Sequence, residues 1–201
     1  MKNILIIAAF TILGLSSCSK SDNSNNPTQV VPITEQEKTD LMFLREEEKF
    51  AHDVYVYAYR KYNHMMFSHI SSSELTHTNA VLGLLNTYGI ADPAANNPEG
   101  VFTNKELQDL YNQFIVTVDS SLNHAIYIGA TIEDMDLKDI QRLNANTTKA
   151  DIQTVYTNLT CGSKNHIRSF VSKLDSPYIA QFITQEELDI ILAAGHESCG
   201  N

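Results

Sequence analysis

The sequence predicts an all-α protein: a four-helix bundle with one long crossover connection and a short C-terminal helix. Three observations lead there. Four long stretches carry apolar residues at three- and four-residue spacing, which lines one face of a helix. Helix-start and helix-stop residues punctuate those stretches. No stretch alternates apolar and polar residues as a half-buried strand would. With 201 residues, 43% hydrophobic and 19% charged, the chain can bury one core of ordinary globular composition, with tails to spare.

Residues 1–17 stand apart from the fold. MKNILIIAAFTILGLSSC has one early lysine, an apolar run short for a membrane span, and small residues before Cys18, the pattern of a secretory signal. Its LSSC ending resembles a bacterial lipobox, which implies lipidation of Cys18 and a membrane-anchored lipoprotein facing the periplasm or cell surface. An ordinary cleaved signal with an incidental cysteine is the alternative. Residues 18–33 then read as a flexible polar tether.

The first predicted helix starts at the capping box Thr34-Glu-Gln-Glu37 and runs to about Tyr62, with Asn63 to end it in a left-handed turn. The second covers Met65 to Tyr88 and stops at Gly89. The connection GIADPAANNPEGVF, with two prolines and two glycines, cannot be helical throughout. A third helix is expected from the capping box Thr103-Asn-Lys-Glu106 to about Leu143, bent near Gly129. A fourth runs from Thr148 to about Leu174, so that residues 34–175 make the bundle. Residues 176–201 form a tail with a short helix after Thr184-Gln-Glu-Glu187.

Short connections join helices one to two and three to four, which makes each pair antiparallel. The middle connection, extended, reaches roughly 45 Å, while a 24-residue helix is about 36 Å long. It can therefore run the length of the bundle and start the third helix parallel to the second. Short, long, short is the ferritin-like arrangement rather than the simple up-down bundle.

Each long helix places ionisable groups on its apolar line. Glu48 follows Leu41 and Leu44 and precedes Ala51 and Tyr55, whereas Glu46 and Glu47 point elsewhere and are read as solvated. Glu74 and His77 interrupt the line of Ile70, Val81 and Leu84. Glu133 lies four residues after Gly129, and His166 falls on the line of Leu159, Ser163 and Phe170. Burying an unpaired carboxylate costs several kcal/mol or forces a proton onto it. Five such groups in one core need a shared compensation, and a pair of cations supplies it, with carboxylates bridging and imidazoles ligating terminally. Ser71-Ser-Ser-Glu74 has a second reading, a capping box starting the second helix six residues later. Tyr55 and Tyr156 fit the core, and a hydrogen bond to a site carboxylate is open to both. His52, His64, His69, His124 and His196 have no partner at ligand spacing. A depth count, with the last hairpin centred near Asn146, leaves Glu133 and His166 seven residues out of level.

The segments LREEEKFAHDVY, ISSSELTHTNAVLGLL, GATIEDMDLKDI and LTCGSKNHIRSF, within about residues 37–175, resemble a bacterial family of ferritin-like domains, domain of unknown function 2202. More distantly, EKFAHDVY and SELTH are similar to the first two iron-binding helices of rubrerythrin-like proteins, where a glutamate precedes a tyrosine by seven residues as Glu48 precedes Tyr55. The resemblance implies a di-iron site and oxidase- or peroxidase-like chemistry, with Glu48, Glu74, His77 and Glu133 holding the metals and His166 capping one. The pattern departs at Ser163, where a second Glu-x-x-His motif would place a carboxylate. Asp136, one turn after Glu133, is the candidate replacement; otherwise one metal rather than two is expected.

The formal charge of −10 excludes a nucleic-acid partner, which needs a clustered basic surface. It is compatible with attracting cations. Losing Lys2 with the signal leaves 13 basic against 24 acidic residues, a charge of −11. Cys161 and Cys199 form either a disulfide pinning the tail, as an exported protein allows, or two separate thiols. Two function classes follow. One is an oxidoreductase with two iron ions, or manganese, acting on peroxide or dioxygen. The other is a non-enzymatic envelope module with a structural or vestigial metal site and a protein partner. A homodimer suits either.

Overall fold

The computed structural model describes residues 32–200. The proposed signal at 1–17, Cys18 and most of the 18–33 tether lie outside these residues. Six helices follow in order: α1 (Glu35–Tyr62), α2 (Met65–Thr87), α3 (Lys105–Val118), α4 (Leu122–Asn144), α5 (Ala150–Val171) and α6 (Gln185–Ala193). No strand occurs among the described residues, and no helix among them is long and apolar enough to cross a membrane.

The ends of α1 form as expected. Thr34 and Glu37 exchange capping-box hydrogen bonds, and Asn63 closes the helix with φ 49°. Met65 begins α2, so Glu74 sits well inside the helix and is not its cap. The Thr184/Glu187 capping box opens α6.

The expected third helix is instead two. It breaks at 119–121, where Ser121 accepts a hydrogen bond from the His124 amide and so starts α4 afresh. Lys61 and the Tyr57 hydroxyl of α1 hold Asp119 at the break, and the Tyr62 hydroxyl donates to the Val118 carbonyl. α4 runs unbroken through Gly129. The N-cap of α3 is Asn104 rather than Thr103. Glu46 of α1 accepts from the Thr103 and Asn104 amides, at 2.5 and 2.9 Å, taking the place expected for Glu106.

Contacts between helices set their directions. Asp40 meets Asn146, and Tyr55 meets Glu133, so α1 and α4 are antiparallel. Tyr88 meets Asp151, and Ser73 meets His166, so α2 and α5 are antiparallel. Consequently α2 and α4 are parallel, as the long connection predicts. The crossover comprises residues 88–121 and includes α3. Arg45 fastens its loop by a paired hydrogen bond to Asp92, at 3.1 and 3.0 Å.

The buried core falls into two apolar clusters. One gathers around Phe50, Tyr55, Phe67, Ile132, Ile167 and Phe170, the other around Leu41, Leu44, Leu85, Ile140, Ile152 and Tyr156. On α1, α2 and α5 the positions of Glu48, of Glu74 and His77, and of His166 lie between the two clusters in sequence, while Glu133 and Asp136 of α4 lie among the last residues of the first.

Two helical glycines differ sharply in what surrounds them. A Cβ at Gly129 would lie 2.4 Å from the Phe170 ring, while one at Gly83 would meet nothing within 4 Å. Gly83→Ala is therefore expected to stabilise the protein by about 0.5–1 kcal/mol. Gly129→Ala is expected to destabilise it by about 1–3 kcal/mol, because Phe170 is fully buried and cannot yield without repacking. Urea denaturation of the two variants gives opposite shifts in midpoint if the packing is as described.

Candidate metal centre

Glu48 comes from α1, Glu74 and His77 from α2, Glu133 and Asp136 from α4, and His166 from α5. All are buried, and Glu48, Glu74 and Glu133 are each 2% exposed. Glu48, Glu74 and His77 form one group whose ligand atoms all lie within 4.8 Å of each other, and Glu74, Glu133 and His166 form a second. Glu74 belongs to both. Its Oε2 stands 2.9 Å from His77 Nδ1 and its Oε1 stands 2.7 Å from His166 Nδ1. Glu48 and Glu133 complete the groups, 3.3 Å from His77 Nδ1 and 3.4 Å from His166 Nδ1. The two imidazoles stack with centroids 5.5 Å apart.

Sequence spacing left Glu133 and His166 seven residues out of level. The structure removes the discrepancy through the register of α4 and α5. Gly129 packs on Phe170, Glu133 faces His166, and Ser163 donates to Asp136. Each pair is symmetric about the 149/150 peptide rather than about Asn146. The first residues of α5 therefore overhang the end of α4.

Burial and mutual proximity shift the titration of these groups in opposite directions. Burial pushes the Glu48 carboxyl up to about 7 although His77 opposes the shift. Burial acts on Glu74 in the same sense, but His166 and His77 outweigh it and hold Glu74 far below the carboxylate range. Burial would lower both histidines. Glu74 and Glu48 nevertheless raise His77 well above its ordinary value, and Glu74 and Glu133 raise His166 to about 10. Burial and Glu74 raise Glu133, and burial with Glu48 and Glu133 raises Asp136. Glu48 Oε1 and Asp136 Oδ1 are buried without a hydrogen-bond partner, whereas Glu74 Oε1 and His166 Nδ1 face each other at 2.7 Å. Buried polar atoms are normally satisfied, so unpartnered oxygens among these carboxylates are compatible with a cation as their partner. The buried Glu/His groups could hold a metal ion.

A family model described as an uncharacterised protein domain, DUF2202, matches residues 37–195. The chain belongs to the DUF2202 family. The uncharacterised protein MJ0754 of Methanocaldococcus jannaschii is 43% identical over 169 residues, covering 83% of this chain and 91% of its own length. The crystal structure of that hypothetical protein matches this fold with a TM-score of 0.81 at 42% identity, covering 83% of this chain and 97% of the other.

In this DUF2202 domain the residues around the two groups differ partly from expectation. The Tyr55 hydroxyl donates to Glu133 Oε1 at 2.6 Å, fixing that carboxylate from behind. Tyr156 does not take such a role. It packs in the second apolar cluster with Leu41 and Ile152, where Asp40 and Glu37 are the nearest acidic influences on its hydroxyl. Asp136 lies beside both groups without joining either three-ligand set, and the Ser163 hydroxyl hydrogen-bonds its Oδ2. Glu46 and Glu47, read as solvated, are both buried. Glu46 caps the crossover. Glu47 is 1% exposed, has neither carboxylate oxygen partnered, and is driven well above the usual range by burial and by Asp136 and Asp139. Cys161 and Cys199 are joined by a disulfide with S–S 2.15 Å.

Gly162 carries a signal that sequence reading passed over. A Cβ there would fall 2.5 Å from His77 Nε2. The residue before Ser163 must be small so that the His77 ring can seat against α5.

Proposed function

We propose that this DUF2202 domain is a ferritin-like metalloprotein holding two iron ions, and that it acts as an oxidoreductase on peroxide or dioxygen. The observation that carries the reading is Glu74, which offers one oxygen to each of two histidines that face separate carboxylates. A shared carboxylate with terminal imidazoles is the donor set of a dinuclear carboxylate site. Glu48 and His77 would hold one metal, Glu133 and His166 the other, with Glu74 common to both and Asp136 the available additional oxygen. When bound, such a pair supplies reversible one-electron steps that together deliver two electrons to an oxidant. The protein's own part is positioning. Tyr55 orients Glu133, Gly162 makes room for His77, and Ser73 holds His166 Nε2 at 3.0 Å so that Nδ1 faces the carboxylates. The two apolar clusters keep bulk water from the carboxylates.

Export and anchoring through a lipidated Cys18 complete the proposal. The N-terminal sequence supports them, as does the Cys161–Cys199 disulfide, which suits an oxidising compartment. Ser163 favours a second reading. With a serine where the wider pattern has a carboxylate, the site would be structural or vestigial in an envelope module that binds a partner.

Elemental analysis of protein purified without chelators, after expression with iron and manganese, distinguishes the two. About two metals per chain, with a visible absorbance change when peroxide is added to the ferrous form, is the expected result. A folded protein that takes up one metal or none, even after reconstitution, supports the second reading.

Metal binding is also expected to release protons. His77 and His166 titrate well above their ordinary values in the metal-free protein and Glu48 at about 7, so around neutral pH these groups carry protons that ligation must displace. Raising pH removes that competition. Affinity should therefore climb through the range from about 7, set by Glu48, to about 10, set by His166. Calorimetry in two buffers of different ionisation enthalpy measures the protons released, and equal heats in both buffers would contradict the prediction.

A further inference from the structure

A groove of about 690 Å³ opens between α2 and α5. Of the five residues in the two ligand groups, only His77 and His166 line it. Their side chains are 11% and 9% exposed, against 1–2% for the three carboxylates. The histidine edges are thus where the site comes nearest to solvent. Residues 196–200 form another wall.

That wall is clamped onto α5. Cys199 is bonded to Cys161, one residue before the glycine that seats His77. Asn165 donates to the Glu197 carbonyl at 2.9 Å and accepts from the Glu197 amide at 2.9 Å. Arg168 hydrogen-bonds the Glu197 carboxylate and the Ile191 carbonyl. This segment has no regular secondary structure, yet a covalent bond and several hydrogen bonds fix it beside the imidazoles.

The groove also has a chemical character. Beside His69, His77, His166 and His196, the residues Ser73, Thr76, Asn158, Asn165 and Ser169 line it with uncharged hydrogen-bonding groups. The charges of His77 and His166 are balanced by the Glu48, Glu74 and Glu133 carboxylates at 2.7–3.4 Å, and Arg168 occupies the Glu197 carboxylate. We propose that this groove is the entrance for a small uncharged hydrogen-bonding molecule, a peroxide by class, and that the clamped tail sets its width. The ligand's destination rests on the metal reading above; the groove and its clamp do not.

Alkylation of a cysteine placed in the groove tests the entrance in metal-free protein. Ser73→Cys would be treated with iodoacetamide, which is neutral, and with iodoacetate, its anionic counterpart of similar size. Ser72→Cys, one residue along and exposed, serves as the reference for intrinsic reactivity and for the protein's overall charge. The amide-to-acetate rate ratio at position 73 is expected to exceed that at 72 by about fivefold. Adding Cys161→Ser and Cys199→Ser together is expected to speed alkylation at 73 by about tenfold and leave 72 unchanged. Should that variant fail to fold, Asn165→Ala, which keeps the disulfide and removes both bonds to Glu197, decides instead, with an expected increase of about threefold. Equal ratios at the two positions would overturn the selectivity. An unchanged rate at 73 in the folded tail variant would overturn the clamp. A protein that holds no metal would defeat the proposed function while leaving both labelling results standing.

Discussion

With the proposed dinuclear site, Glu74→Ala is expected to empty both metal positions at once, whereas Glu48→Ala and Glu133→Ala each empty one. The asymmetry follows from geometry. Glu48 faces only His77, Glu133 faces only His166, and Glu74 faces both. Partners one step removed from a metal are worth roughly 10–100-fold in affinity, so loss of a shared ligand should weaken binding at both positions by more than about 100-fold. Metal content per chain, measured for the four proteins side by side, should fall from about two in the wild type to about one in Glu48→Ala and Glu133→Ala and to none in Glu74→Ala. If Glu74→Ala keeps half of its metal, the two positions do not share that carboxylate and the dinuclear reading fails. Circular dichroism of the metal-free forms separates loss of ligand from loss of fold.

The largest effect on stability is expected at Asp134, which belongs to neither candidate ligand group. It sits next to Glu133 on α4 and is completely buried. Its Oδ2 accepts from the Tyr178 hydroxyl and the Gln181 and Phe182 amides, at 2.9, 2.6 and 3.2 Å. Its Oδ1 accepts from the Ile183 amide at 2.9 Å. One carboxylate thus satisfies three consecutive backbone amides in the segment that leads to α6. Hydrogen bonds to a charged group are worth about 1.5–3 kcal/mol each, and donors left buried without a partner cost about 1–3 kcal/mol. Asp134→Ala should lower unfolding free energy by about 3–5 kcal/mol, a large part of the whole for a domain of this size. Asp134→Asn, which keeps one acceptor oxygen, should fall between it and the wild type. Equilibrium urea unfolding reports the difference, and faster amide exchange at 181–183 would locate it. A loss below about 1 kcal/mol would mean that water replaces the carboxylate there.

Much of this was legible in the chain itself. A helix buries residues at a fixed period, so Glu48, Glu74, His77 and His166 declared themselves by standing where apolar residues belong. The capping boxes at Thr34 and Thr184 and the left-handed Asn63 are local interactions, complete within four or five residues, and they formed where predicted. The long middle connection already implied that α2 and α4 run parallel, because chain length limits reach.

Other features depended on neighbours distant in sequence. Residues 44–48 of α1 are buried in succession, which no single apolar stripe predicts. The α2 and α4 faces cover one side of α1 while the crossover loop covers another, so Glu46 and Glu47 are enclosed from directions that a one-sided helix would leave to solvent. The break at 119–121 relies on Tyr57, Lys61 and Tyr62, more than fifty residues upstream. Tyr156 matched the periodicity of a core tyrosine, but only the antiparallel register put it a full cluster away from the carboxylates. The sequence by itself determined that Glu48, Glu74, His77 and His166 would reach the core, because their places on the apolar lines follow from the helical period. The tertiary structure alone decided the level at which those groups meet, since the meeting of Glu133 with His166 depends on how far α5 overhangs α4, a matter of packing between helices rather than of either helix.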